Sequence, residues 1–343
     1  MSALRTVSLT FLSVCAPSGI IGNIIVLLAF HRQEQTDDCS HIFFKHLAIV
    51  DLIMCTGGLV TGLGIMLDGG FQFCQGGLIF IALFYGLSSG TVCLMTLDRY
   101  IYISMPLRYY CKMSTKRARL LLIGIWCISV VNILPVVSGV AFHRKPGPFY
   151  RLDIKNCVLP KIINIPYFLW LEGTFLAFLA ATVYFNIRLL SYARQQSRKI
   201  EASTLPTESE FHADERFNRT IGNHALATGK CTGTHQIHRM VFLRQRATVR
   251  LTTVFLRIRQ KKYIKIIFFI VFIHCLCNLP YFLFVTLEII SGSSFEYQKI
   301  KFAYSLYLLN YLNSVLNPVI YTSLNKRLRE SVTRMFYSVR CRS

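Results

Sequence analysis

TVCLMTLDRYIYISMPLRY, residues Thr91–Tyr109, ends an uncharged run that begins near Phe71, closing it with an acid, a base and an aromatic: Asp98, Arg99 and Tyr100. A charge pair at the rim of an apolar helix long enough to cross a bilayer is costly to place, and such groups usually have a partner and a task. Asp98 and Arg99 are sequence neighbours that can neutralise each other, which leaves Arg99 able to exchange partners. The plainer alternative is a stop-transfer flank whose Arg reaches the headgroups. The rest of the chain has to decide.

Only 16% of the 343 residues are charged, 53% are hydrophobic and 13% aromatic. A soluble domain carries about 25% charged residues, so this chain is too apolar for water, and its mean hydropathy of +0.45 agrees. The net charge of +22 points to basic cytoplasmic loops rather than to nucleic acid. Twelve cysteines in so long and apolar a chain are not a disulfide framework, and no metal-type Cys-x-x-Cys pair occurs. The composition is that of a membrane protein.

Taken in order, Leu9 to Phe30 is uncharged for 22 residues, enough for one crossing at about 20 residues per span and longer than a signal peptide. Asn23 lies inside it and needs a hydrogen bond. A second span runs from about His46 to Leu67 and contains Asp51, a rare intramembrane acid that is a functional candidate, or else a group that only ties helices together. The third is Phe71 to about Ile103, the fourth Leu120 to Phe142 with Trp126 and Pro135, and the fifth Ile162 to Leu190 with Glu172. Residues 191–262 form a long basic connection with no repeat and no catalytic signature. The sixth span, Ile264 to Leu287, has Pro280 as a kink, and the seventh runs from about Phe302 to Ser323. In residues 324–343, Leu328, Val332, Met335, Phe336 and Val339 share one face and bases the other, an amphipathic helix on the membrane.

The expected fold is therefore all-α, a seven-transmembrane helix bundle over residues 1–323 with an amphipathic eighth helix on the cytoplasmic surface. Seven spans with the first loop inside put the N-terminus outside. Eight of the 38 basic residues (Arg5, Arg144, Lys145, Arg151, Lys155, Lys161, Lys299 and Lys301) then fall in outer segments, as the positive-inside rule expects, although the second outer loop is unusually basic. In this topology only Cys74 and Cys157 face an oxidising exterior. A disulfide between them would tie that loop to the third helix, two free thiols being the alternative.

At the seventh span the sequence reads NYLNSVLNPVIY, and Asn317-Pro318-Val319-Ile320-Tyr321 resembles the NPxxY motif of rhodopsin-like (class A) G-protein-coupled receptors. Together with Asp98-Arg99-Tyr100, Asn23 in GNIIV, LAIVD ending at Asp51, Trp126, Pro280, and Cys74 placed 25 residues before Arg99, the set is specific to that family. The resemblance implies that Arg99 leaves Asp98 on activation and supports a heterotrimeric G protein, and that Tyr184 and Tyr321 turn inward to meet it. It also implies a sodium and water cluster at Asp51, Ser88, Asn313, Ser314 and Asn317, a donor set that suits a small hard cation or ordered waters. Plasma-membrane residence follows from the same likeness, and Cys341 is a palmitoylation candidate, a free thiol being the alternative.

Several positions depart from the family pattern. The usual CWxP of the sixth helix reads Cys277-Asn278-Leu279-Pro280, and the aromatic usual one turn below is His274. The fifth-helix proline is absent, with Leu176 in its place, and no acid stands at Gln260, Lys261 or Lys262 to lock Arg99. These changes imply a modified trigger and raised basal signalling.

Amine receptors carry an Asp seven residues after the outer cysteine of the third helix, where this chain has Ile81, so an ordinary monoamine pocket is disfavoured. The position of the opsin lysine reads Tyr311, which excludes retinal. A small-molecule pocket remains, formed by Ile81, Ala82, Tyr85, Glu172, Asn278, Tyr281, Phe282, Tyr304, Tyr307 and Tyr311: aromatic walls with a few convergent polar groups. Glu172 could meet a cationic ligand, be protonated, or bond only to neighbouring helices, whereas the basic outer loop would draw an anion. A short peptide is the other ligand class open, and the short N-terminus disfavours large glycoprotein hormones. DRYIYISMPLRYY also looks like the third helix of odorant receptors, a chemosensory alternative, though their sixth-helix KAFSTCxSH stretch is missing. Internal repeats of a transporter and catalytic constellations of an enzyme (HExxH, GxSxG) are both absent.

Overall fold

The structure, a computed structural model, describes residues 2–32, 39–67, 70–138, 165–204, 264–288, 290–291, 297–324 and 326–340. Its long helices are α1 (Ser2–Arg32), α2 (Cys39–Met66), α3 (Gly70–Ser104), α4 (Thr115–Val137), α5 (Ile165–Thr204), α6 (Ile264–Glu288), α7 (Tyr297–Leu324) and α8 (Lys326–Arg340). No strand occurs among the described residues. Without water to satisfy backbone groups, a lipid-spanning chain must close its hydrogen bonds within helices, and this one does. Stretches of α1, α2, α4, α5 and α6 have the length and hydropathy of membrane spans. α3 and α7, of 35 and 28 residues, exceed the roughly 20 residues a crossing needs and carry many of the polar groups described below.

Several helices run further than the expected spans, α1 starting at Ser2, α2 at Cys39 and α7 at Tyr297. α4 begins at Thr115, where the Ser114 hydroxyl accepts from the Arg117 amide at 3.4 Å as an N-cap. α5 continues to Thr204 through SYARQQSRKIEAST, a stretch expected to be loop. Its Ala, Arg, Gln, Lys and Glu residues are good helix formers that a hydropathy reading cannot register. Contacts divide the chain into two compact units: Met1–Ile187 with Lys265–Ser343, and Arg188–Ile264.

In the first unit α1 packs on α2 and α7, α2 on α3, α4 and α7, and α3 on α4. Lipid tails are as apolar as leucine, so close approach at small residues and interhelical hydrogen bonds carry this association, the latter worth about 0.6–2 kcal/mol each. Gly58 of α2 is one such approach: a Cβ there would lie 2.2 Å from the Tyr311 ring of α7. A polar chain joins three helices. Trp126 Nε1 of α4 donates to His46 Nε2 of α2 at 3.0 Å, His46 Nδ1 meets Thr91 Oγ1 of α3 at 3.0 Å, and Thr91 donates to the Leu87 carbonyl at 2.5 Å. α8 buries Leu328 and ties to α1 through Ser331 Oγ, which donates to the Ala29 carbonyl at 3.2 Å. Arg329 caps α7 by donating to the Ser323 carbonyl at 3.1 Å.

Candidate functional site

Three clusters of polar or aromatic side chains lie along the bundle. At the end of α3 that carries the charge pair, Arg99 Nε is 3.4 Å from Asp98 Oδ2 and its guanidinium lies 5.5 Å from the Tyr102 ring. Asp98 also accepts from Ser40 Oγ of α2 and from Tyr109 Oη, each at 2.7 Å. Tyr109 opens a one-turn helix, Tyr109–Lys112, whose last carbonyls are capped by Arg117. Burial, then the charge and hydrogen bond of Asp98, push the Tyr109 phenol well above its ordinary range, so it remains the donor to that carboxylate. Neither Ser40 nor Tyr109 is apparent from the Asp98-Arg99-Tyr100 triplet.

Tyr321 lies on the same side of the bundle, 1% exposed, with its ring 5.1 Å edge-on from Phe44 and its hydroxyl buried without a partner among the described residues. Tyr184 is placed differently: it is 55% exposed and packs on Phe185, while Phe185 faces Tyr100 at 5.7 Å. The helical repeat puts Thr182 and Asn186 on the buried face of α5 at this level, with Asn186 donating to the Thr182 carbonyl at 3.0 Å.

Near mid-bundle Asp51 is fully buried. Ser314 Oγ donates to its Oδ1 and Asn317 Nδ2 to its Oδ2, both at 2.8 Å, and Asn23 Nδ2 donates to the Ser314 carbonyl at 3.1 Å. The Asn23 and Asn317 side-chain carbonyls beside it are buried with no hydrogen-bond partner among the described residues, as is the Ser88 hydroxyl of α3, while the Asn313 side chain interacts with His274. Around Asp51, α1, α2 and α7 therefore contribute one carboxylate and the unmatched amide oxygens of Asn23 and Asn317. Orphaned buried oxygens are rare enough to require an explanation, and a small cation or ordered waters supply one.

Toward the start of α3, Tyr85, Tyr281 and Phe282 from the expected pocket pack with Phe168, Phe175 and Val285. Phe175 and Phe282 stack at 4.8 Å, and Tyr85 lies 5.0 Å from Phe175 and 5.3 Å from Phe282. Glu172 is 4% exposed, and both its carboxylate oxygens face the Thr286 hydroxyl of α6. Asn278 is drawn into its own helix, donating to the His274 carbonyl at 2.7 Å and lying 3.3 Å from His274 Nδ1. His274 Nε2 reaches Ser89 Oγ of α3 at 3.1 Å. Tyr311 is buried against α2 at Gly58. The side chains of Ile81, Tyr304, Tyr307 and Cys74, and all of Cys157 and Cys341, lie outside the described residues. Phe168 and Phe175 were missing from the expected pocket, although they stand four residues before and three after Glu172 and so share its helix face.

The profile of the family described as "7 transmembrane receptor (rhodopsin family)" matches residues 22–321, and the chain belongs to that family. Among curated proteins it is similar to the human alpha-1A adrenergic receptor, with 26% identity over 323 residues, covering 91% of this chain and 64% of that receptor. The alpha-1A adrenergic receptor of Oryzias latipes is 27% identical over 91% of this chain and 63% of its own length. Dopamine receptor 1 of Drosophila melanogaster is 25% identical over 95% of this chain and 61% of its own. The chain thus spans a little under two thirds of the length of these relatives. Family membership makes it a multi-pass membrane receptor and not an enzyme.

Proposed function

We propose that the chain resides in the plasma membrane with its N-terminus outside, binds an extracellular small molecule or short peptide, and activates a heterotrimeric G protein. The observation that carries this reading is the arrangement at Arg99. A buried base is held by the acid beside it, and that acid is in turn tied to α2 by Ser40 and to the next connection by Tyr109. Such a cluster has a second arrangement available, in which Arg99 exchanges Asp98 for groups brought by α5, α7 or a partner.

In this mechanism the ligand binds at the aromatic cluster of α3, α5 and α6, above Pro280. It favours a conformer in which α6 hinges outward at that proline, a residue that removes one helical hydrogen bond. Arg99 then leaves Asp98, Tyr321 gives up its burial against Phe44, and the opened cleft accepts the G protein. Tyr184 joins them only if α5 rotates, since its buried face here is that of Thr182 and Asn186. The ligand moves this equilibrium by no more than its difference in affinity for the two conformers. Asp51 with its surrounding oxygens would hold sodium in the resting conformer, where the donor set fits a small hard cation. The names of the relatives point to amine ligands, but the α3 position that anchors amines in the family reads Ile81.

The test is ligand-free signalling in cells, wild type against Arg99→Ala and Asp51→Asn, read through cyclic nucleotide, calcium and Rho outputs. Activity that depends on Arg99 supports the reading and identifies the G protein. Surface-expressed receptor that stays silent in every output, alone and with candidate ligands, removes it.

A further inference from the structure

Glu172 is a buried acid with a neutral hydroxyl against it. Among the described residues its carboxylate has the Thr286 hydroxyl as partner and no cation, although only 4% of the residue is exposed. A buried carboxylate with a neutral partner is costly, and it persists where a counter-charge arrives or where function requires it. Its surroundings point to the first. Phe168, Glu172, Phe175 and Leu179 form one stripe of α5, and Phe282, Val285 and Thr286 face it from α6. Aromatic faces are electron-rich: they attract cations and offer nothing to a carboxylate. Tyr85 adds a buried hydroxyl with no partner among the described residues, on a ring 5.0 Å from Phe175 and 5.3 Å from Phe282.

We propose that Glu172 anchors the ammonium group of an organic cation whose apolar body lies along Phe168, Phe175 and Phe282 in the seam between α5 and α6. The proposal rests on the receptor reading above and specifies its ligand class. Thr286 orients the carboxylate, and the Tyr85 hydroxyl receives a polar group at the far end of the ligand. An anion would meet like charge at Glu172, and a neutral ligand would leave the acid unmatched. The seam also explains how occupancy reaches the trigger. Thr286 and Phe282 stand on the far side of Pro280 from His274, so a ligand drawing Thr286 toward α5 acts on the lever arm that the proline hinges.

The experiment uses the full chain, purified in detergent, and reads melting temperature with millimolar phenethylamine or benzyltrimethylammonium. The uncharged phenethyl alcohol and the anion phenylacetate serve as matched probes. Both ammonium probes are expected to stabilise the receptor and the other two are not. Glu172→Gln should weaken the ammonium effect by about 30-fold or more, and Thr286→Val by less. The proposal is overturned if neither ammonium probe shifts the wild type, if alcohol and amine act alike, or if Glu172→Gln responds as the wild type does. Should Glu172→Gln fail to fold, Glu172→Asp retains the charge at a shorter reach, and an unchanged amine response there overturns the proposal equally. Melting reads binding without a G protein. Amine stabilisation in a receptor that never signals would therefore sink the coupling and keep this site, and Arg99-dependent signalling without amine stabilisation would sink this site alone.

Discussion

Ser89 Oγ of α3 and His274 Nε2 of α6 stand 3.1 Å apart, both side chains buried, at a level where the family pattern places an aromatic on the sixth helix. The Asn278 amide lies 3.3 Å from the other ring nitrogen, so both nitrogens of the ring face polar partners. α6 is thus fastened to α3 at this level by a hydrogen bond as well as by the stacking of the His274 ring on Tyr85, 6.5 Å between centroids. Ser89→Ala leaves a buried ring nitrogen without this partner and should cost about 1–3 kcal/mol, whereas Ser89→Ala with His274→Phe removes both members of the pair and should recover part of it. Thermal unfolding of the two variants checks this, and basal signalling should rise in the single variant, where α6 is released.

The acid at the end of α3 should behave similarly. Tyr109→Phe and Ser40→Ala each remove a hydrogen bond to a charged, buried carboxylate, a loss of roughly 1.5–3 kcal/mol. Both bonds belong to the arrangement in which Asp98 holds Arg99, so losing either destabilises that resting arrangement relative to the exchanged one. Lower melting temperatures with raised ligand-free activity are the expected pair of outcomes.

Sodium should stabilise the wild type relative to an equal concentration of potassium, by about 2 °C or more, and should leave Asp51→Asn unchanged. Equal responses in the two salts would assign the orphaned oxygens around Asp51 to water.

Gly58→Val places side-chain atoms inside the Tyr311 ring, since a Cβ at that position already comes within 2.2 Å of it. Surface expression should fall steeply. Gly58→Ala combined with Tyr311→Ala should express better than Gly58→Ala alone, because the obstructing ring has gone.

The spans were legible because lipid forbids charge over about 20 residues, and uncharged runs of that length stand out in the sequence. Where α5 leaves that regime the signal failed, and its polar extension to Thr204 went unread. The Asp51 cluster was legible through the resemblance carried by the seventh helix. The partners of Asp98 were not. Ser40 lies 58 residues away and Tyr109 sits past a break in the helix, and no periodicity links either to the triplet. Glu172 was visible as an intramembrane acid, but Thr286 is 114 residues distant and only packing brings them together. Tyr184 illustrates a further limit: neighbouring helices set the rotation of α5, and a motif position does not reveal which way its side chain turns.

The chain of contacts from Trp126 through His46 to Thr91 and the Leu87 carbonyl has a direction. The indole can only give a proton and the carbonyl can only receive one, so the side chain at residue 46 must receive on one edge and give on the other. Neutral imidazole meets that requirement, as would the amide of Asn or Gln given the reach. Arg or Lys at this position would set donor against donor, and Leu would leave the Trp126 N–H without its acceptor. The range of residues tolerated between α2 and α4 is thereby narrowed by hydrogen-bond polarity rather than by volume, so a saturation library at His46 should retain amides and reject both larger bases and hydrocarbons of equal size.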